Sequence, residues 1–333
     1  MLLDAAFTPR SLADVPALAR AAEAVGFDAA WTTETQHNPF LPLPLIAENT
    51  ARLRFGTAVA IGFARSPVTL AHVGWDLAQQ SGGRFILGLG TQVKPHIERR
   101  FGLPWPESPV NKLRELIQAI RAVWHTWQTG KRLNFRGEYF KLTLMTPFFS
   151  PPAEGHHPVP IYIAGVNTGL ARLAGEAANG YHVHPLHSAA YLRDVIRPAI
   201  AAGAAKAGRA ASAVALSASV IVVTSPAERD FARQQIAFYA STPSYRPLLA
   251  HHGWEAVGEQ LSALAARGEW AALPALVTDE MLAAFAVTAP LAELAAPLRE
   301  RYAGLLDRVT LYRPFVPGEA DDAWRQLAAS LPQ

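Results

Sequence analysis

Phe55–Ile61, Arg65-Ser66-Pro67 and Ser81-Gly82-Gly83-Arg84-Phe85-Ile86-Leu87-Gly88-Leu89-Gly90 decide how this chain folds. The first run is an apolar strand that ends at Arg65-Ser66-Pro67. Val68 to Gln80 then reads as a helix. A Gly-Gly-Arg turn opens a second apolar strand that closes on Gly88-Leu89-Gly90. Strand, helix and strand in this order form a βαβ unit, whose two strands run parallel. Small residues at the strand C-termini let a flat ligand come close to the backbone.

The alternation continues outward in both directions. Leu2–Phe7 reads as strand one. A helix starts at Ser11-Leu12-Ala13-Asp14 with capping-box spacing, runs to Val25 and stops at Gly26. Phe27–Glu34 is strand two. A proline-rich loop, Asn38 to Pro44, precedes a short helix over Leu45–Asn49. Asn111–Thr129 places Leu113, Leu116, Ile117, Ile120, Val123, Trp124 and Trp127 at helical spacing. Gly130 to Pro158 reads as irregular. Val159–Ala164, Tyr181–His184, Val214–Thr224 and Val309–Tyr312 are strands five to eight. Helices from Asn167 to Ala178 and from Ser188 to about Ala207 separate three of them. The pattern predicts an α/β fold, a (β/α)8 TIM barrel in one domain over residues 1–333, with a helical insertion or lid at about 226–297 after strand seven. A doubly wound open sheet with a helical domain is the competing architecture.

Half of the 333 residues are hydrophobic, which excludes a disordered chain. With no cysteine, disulfides, thiolate catalysis and cysteine metal sites are ruled out. The formal net charge of +3 leaves no nucleic-acid footprint but suits an anionic small ligand. The N-terminus does not read as a signal peptide, and no apolar run is long enough to predict a membrane span. A cytoplasmic protein acting on a small molecule, with no nucleic-acid or membrane partner, is expected.

In a barrel of this kind the chemistry sits at the C-terminal ends of the strands. Gly165-Val166-Asn167-Thr168 joins a strand to a helix, and consecutive amides there can hold a phosphate; an ordinary turn with an asparagine cap fits the same residues. Glu34 and His37 gather an acid and an imidazole at the end of strand two, suited to proton exchange; Glu34 paired with a barrel arginine is the structural alternative. Thr91 and Gln92 follow strand four as polar ligand contacts. Lys94, Arg99 and Arg100 make a basic segment next to them. His182 and His184 alternate on strand six and so face one side; without a carboxylate partner they read as pocket histidines, and no metal site is expected.

Arg65-Ser66-Pro67, Ser81–Gly90 and Pro160-Ile161-Tyr162-Ile163-Ala164-Gly165 together resemble the luciferase-like monooxygenase superfamily, most closely its branch that uses the deazaflavin coenzyme F420. Ala174-Gly175 through Asn179-Gly180 resembles that family's AG..ADG signature, with Asn179 in place of the usual Asp. The resemblance covers most of residues 1–224 and strand eight. It implies that the Gly165–Thr168 turn cradles the cofactor phosphate. It also implies that Ala58-Val59 forms a non-proline cis bulge behind the ring, and that Lys94, Arg99 and Arg100 attract the anionic tail of F420. Where many relatives carry an acid–His pair, Glu34 matches the acid but Thr35 occupies the histidine position, and His37 falls two residues later. The implied function is an F420-dependent oxidoreductase that moves a hydride between the deazaflavin and an organic substrate, working as a homodimer. The alternatives are an FMN-dependent monooxygenase on the same fold and a non-catalytic deazaflavin-binding protein.

Overall fold

The computed structural model describes residues 1–331. Eight parallel strands close into a barrel: β1 Leu2–Phe7, β2 Ala29–Thr32, β3 Arg54–Thr57, β4 Phe85–Gly90, β5 Ile161–Gly165, β6 Gly180–Val183, β7 Ala215–Val223 and β8 Arg308–Pro314. Each pairs with the next, and β8 returns to β1 through Leu3 opposite Val309. The predicted (β/α)8 barrel is therefore the observed fold, and the open-sheet alternative falls away.

The deciding stretch performs several structural jobs. Ser66 caps the helix Pro67–Gln80 by accepting the Thr69 N–H, and Pro67 occupies the first turn, where its missing N–H costs nothing. At the other end Gly82 and Gly83 take the left-handed backbone (φ 62° and 84°) that the turn requires. Arg84 then locks the foot of the barrel, donating to the carbonyls of Ala47 and Leu53 and to the Thr50 hydroxyl at 2.8 Å each. Its guanidinium also lies 5.5 Å from the Phe55 ring centre. The Ser-Gly-Gly-Arg motif thus belongs to the N-terminal floor, at the other end of β4 from the strand end that carries chemistry.

The small residues of β4 also have a structural cause. A Cβ on Gly88 would sit 1.7 Å from the Thr57 carbonyl oxygen, and one on Gly90 would sit 2.6 Å from Val59 Cγ2. These glycines make room for the neighbouring strand, a structural role beside the ligand approach expected of them. Thr57 completes the join, with its hydroxyl donating to Gly88 O at 2.6 Å and accepting from Gly88 N at 3.0 Å.

Several boundaries differ from the sequence reading. The third strand is not continuous: Ala58 and Val59 interrupt it, their peptide bond is cis, and pairing resumes at Ala60–Ile61. β2 ends at Thr32, which leaves Glu34 in the loop beyond it. The irregular stretch contains a hairpin, Phe135–Arg136 with Lys141–Leu142, anchored because the buried Glu115 carboxylate accepts the N–H groups of Glu138, Tyr139 and Phe140. The helix after Ser188 passes through a π turn at Leu192–Ile196, just ahead of Pro198, which brings no N–H to the ladder. The segment after β7 is helical, from Arg229–Ala240 to Asp279–Phe285, and then adds a short strand, Ala286–Thr288, parallel to the end of β7.

Inside the barrel, Asp4 on β1 and Arg308 on β8 form a two-pronged ion pair at 2.6 and 2.9 Å, and Trp31 Nε1 donates to the same carboxylate at 2.8 Å. Burial pushes the Asp4 carboxyl up, and the Arg308 charge pulls it back down. Removing one member strands the other without water. Arg308→Leu is expected to cost about 3–5 kcal/mol in urea unfolding, and the double variant Asp4→Leu/Arg308→Leu less than that.

Candidate active site

Above that ion pair an aromatic layer closes the barrel. The His182 ring lies 4.9 Å from Trp31 and 5.2 Å from Tyr162, centre to centre. Trp31 and His182 form the floor of one cleft of about 1310 Å³ at the C-terminal ends of the strands. The cleft reaches the turn after β5, the loop after β4, the end of β8 and the helical insertion. It exceeds the roughly 300–1,000 Å³ that one small-molecule ligand fills, so it has room for two.

Glu34 lines this cleft, but its carboxylate is fully engaged. Arg65 grips both oxygens at 2.7 and 2.8 Å, and Ile61 N–H donates to one of them at 2.6 Å. Arg65 also donates to the Ile61 carbonyl and lies 5.2 Å from the Phe40 ring centre. The pair is therefore a clasp: it fixes the chain just after Ala58-Val59, which back the cleft wall. His37 is exposed and stands outside the lining, while Thr35 is part of it. The structure does not bring Glu34 and His37 together on the cleft.

Gly165, Val166 and Asn167 line the cleft, and Thr168 behind them begins the helix Thr168–Ala177. The first amides of a helix lack intrahelical acceptors and can receive an anion. Gly165 is small because a Cβ would meet Leu170 at 2.6 Å and the Tyr181 hydroxyl at 2.8 Å. Asn167 does not cap its helix; its Nδ2 donates to Ser244 O of the insertion at 3.1 Å, and its Oδ1 is buried without a partner among the described residues. Asn179 stitches β5 to its neighbours, accepting from Ile161 N–H and from Arg121, so that part of the family signature is structural.

On the neighbouring loop, after β4, Thr91, Gln92 and Lys94 line the cleft, whereas Arg99 and Arg100 do not. Gln92 has a left-handed backbone, φ 59°, which is uncommon for a side-chain-bearing residue. Arg100 donates to Thr35 O at 2.8 Å and so supports the β2 loop. Lys94 is mostly exposed and lies 3.8 Å from Glu98. No cluster of three or more His, Cys, Asp or Glu residues suited to a metal ion occurs among the described residues, and none of their helices is long and apolar enough to cross a membrane.

The two strand-six histidines have different surroundings. His182 is 7% exposed and its Nε2 has no partner among the described residues. Burial and the nearby Arg308 charge push it down to about 3. His184 accepts the Leu186 N–H on Nδ1 and meets the Tyr245 hydroxyl through Nε2 at 2.7 Å. Burial, with His187 beside it, pushes His184 to about 3 as well.

The arginine partner expected as the structural alternative for Glu34 is Arg65, which sequence reasoning did not single out, and it missed Tyr239, Tyr245, Tyr312 and Arg313. The aromatic residues of the insertion carry no spacing signal; only the folded insertion turns them toward the cleft. Arg65 was legible as a motif member, but its contact with Glu34 spans 31 positions.

Residues 3–308 match the family described as luciferase-like monooxygenase. The chain belongs to that family. It is 46% identical over 308 residues to an uncharacterised protein of Mycobacterium tuberculosis, covering 90% of each. It is 32% identical over 222 residues to the F420-dependent glucose-6-phosphate dehydrogenase of Nocardia farcinica, covering 62% of this chain and 63% of that one. Among solved structures, the coenzyme F420 dependent tetrahydromethanopterin reductase of Methanopyrus kandleri superposes with a TM-score of 0.78 at 20% identity, covering 99% and 98%. The FMN complex of the oxygenating constituent of a Pseudomonas putida 3,6-diketocamphane monooxygenase gives 0.69 at 18%, also over 99% and 98%. Both share the fold.

The buried histidines make stability depend on pH. His182, His184 and His187 titrate near 3, 3 and 4 in the folded protein because burial disfavours their charged forms. The unfolded chain takes up these protons near 6.5, so it binds more of them as pH falls and stability drops. Between pH 7.5 and 5.5 the three together account for a loss on the order of 4 kcal/mol. Urea unfolding at both pH values measures it, and His182→Phe is expected to remove about a third of this loss.

Proposed function

We propose that this chain is an oxidoreductase that binds coenzyme F420 and moves a hydride between the deazaflavin and an organic substrate. The observation that carries the reading is one cleft, large enough for a cofactor and a substrate together, with an amide-rich turn and, on the neighbouring loop, a lysine among its lining residues. The residues fit such a cofactor. Gly165, Val166 and Asn167 would hold its phosphate, Ala58 and Val59 would back its ring, and Thr91 and Gln92 would meet its polar edge. Thr168 stands behind the phosphate turn, and Lys94 would attract the anionic tail, with Arg99 and Arg100 adding only long-range charge. The buried, unpartnered Asn167 Oδ1 marks a polar atom at this turn that a ligand donor could satisfy.

When bound, the deazaflavin supplies the hydride chemistry at its C5. The chain supplies shape and electrostatics. Glu34 acts through Arg65 as a positioning residue, because both carboxylate oxygens are already committed to donors. His37, exposed and off the lining, contributes no proton to the reaction in this reading. His182 stays neutral on the floor of the cleft.

FMN is the competing cofactor, favoured by the FMN-bound structural neighbour. Equilibrium titration of the purified protein with F420 and with FMN, at low and moderate salt, separates the two. F420 is expected to bind more tightly and to weaken with salt. Lys94→Ala should reduce its affinity about two- to fivefold at low salt and by less at moderate salt. Tighter binding of FMN would assign the protein to flavin chemistry. In turnover assays His37→Ala is expected to match the parent, whereas Arg65→Leu should lower cofactor affinity by releasing the strand-three clasp.

A further inference from the structure

The substrate half of the cleft lies between the β7 and β8 ends and the insertion. Its wall is largely apolar and aromatic: Val222, Phe231, Phe238, Tyr239 and, toward the other rim, Trp105. Phe231 and Phe238 sit on the helix Arg229–Ala240 and are half exposed, so the entrance is apolar too.

The charges within reach are already spent. Glu34, Lys94, Glu228 and Arg313 are the lining residues that carry full charge, among those described. Glu34 is clasped by Arg65. Arg313 donates to Glu228 at 2.5 Å and to the Thr224 hydroxyl at 2.9 Å, while the other Glu228 oxygen accepts from Thr224 N–H and its hydroxyl. Arg313 makes both bonds from Nη1, and Glu228 offsets its charge, so a phosphate brought to Arg313 would also face that carboxylate. Lys94 stands on the cofactor rim. His182 and His184 are neutral. A phosphomonoester placed here would lose its hydration with no cation on this wall that is not already offset by a carboxylate.

One neutral donor is left over. The Leu186 N–H occupies Nδ1 of His184, so the neutral ring carries its proton on Nε2 and donates it to the Tyr245 oxygen. The Tyr245 hydroxyl proton then has no acceptor among the described residues, and Tyr245 lines the cleft. Tyr239 differs. Tyr312 donates to Gln235 Oε1 at 3.1 Å, which leaves Tyr239 to donate to the Tyr312 oxygen at 2.7 Å and closes that chain on itself.

We infer that the substrate side of this cleft takes an uncharged, mainly apolar molecule with one carbonyl or hydroxyl oxygen, held by the Tyr245 hydroxyl, and rejects phosphorylated substrates. The inference rests on the oxidoreductase reading of the cleft and narrows its substrate class. It departs from the sugar phosphate that the Nocardia relative's name specifies. Tyr245 is a recognition residue here: His184 sets the direction of its hydroxyl, and Phe cannot replace it.

Calorimetric titrations with three probes test this, each run with and without saturating oxidised F420. Acetophenone offers a carbonyl, ethylbenzene lacks it, and phenyl phosphate adds charge. The parent protein is expected to bind acetophenone at least tenfold more tightly than phenyl phosphate. Tyr245→Phe should weaken acetophenone about five- to tenfold, the loss of one neutral hydrogen bond, and leave ethylbenzene within twofold. The unchanged ethylbenzene affinity shows that the variant's pocket is intact. Phenyl phosphate binding as tightly as acetophenone overturns the inference. So does a Tyr245→Phe variant that keeps its acetophenone affinity, or one that loses ethylbenzene in parallel. Absence of F420 binding overturns the cofactor reading alone, because the probe contrasts are still read in the cofactor-free protein.

Discussion

The clasp between Glu34 and Arg65 is the interaction on which the working end of this barrel depends. It ties three separate pieces of chain together: the loop after β2, the resumed strand at Ile61, and the start of the helix Pro67–Gln80. With side-chain exposures of 8% and 15%, the pair is shielded enough to outweigh a surface ion pair. It is two-pronged, so it sets direction as well as distance. The Ala58-Val59 wall of the cleft stands between that clasp and the Thr57–Gly88 join. The same pair accounts for the motif Arg65-Ser66-Pro67: one residue reaches back, the next caps, and the third starts the helix.

Below the clasp the barrel is arranged in layers of decreasing polarity and then increasing openness. Asp4 and Arg308 satisfy each other in the interior, Trp31 roofs them while donating to the carboxylate, and His182 rests against Trp31 and Tyr162. Burial, helped by the positive charge of Arg308 beneath, keeps that imidazole neutral, so the cleft floor carries no cation. The charge balance of the core is in this way transmitted to the chemistry above it.

Much of the fold was legible because its signals are local. Alternating apolar runs, helical stripes and Gly26 at a helix end each act within a few residues, and each marks the element it was read to mark. The short features were not legible. The hairpin at Phe135–Leu142 exists because Glu115, about twenty residues earlier, gathers its amides, and the strand Ala286–Thr288 exists because the end of β7 offers an open edge. At the cleft, Gly165–Asn167, Thr91, Gln92 and Lys94 were found because strand ends in a barrel converge. His37 and Arg99 also follow strand ends in sequence, yet neither lines the cleft, and no periodicity in a loop reports that. Tyr245 was out of reach for a different reason: its role depends on the tautomer of His184, which depends on a backbone amide at Leu186.

The hydrogen bond from Asn167 Nδ2 to the Ser244 carbonyl joins the turn after β5 to the residue just before Tyr245. Anything that shifts the turn on occupation meets, through this strut, the segment that carries Tyr245. The two halves are then not independent rooms. Filling either one alters the affinity of the other by the same factor, whichever is filled first. The strut is a single amide, so the reach of that coupling is set by one side chain.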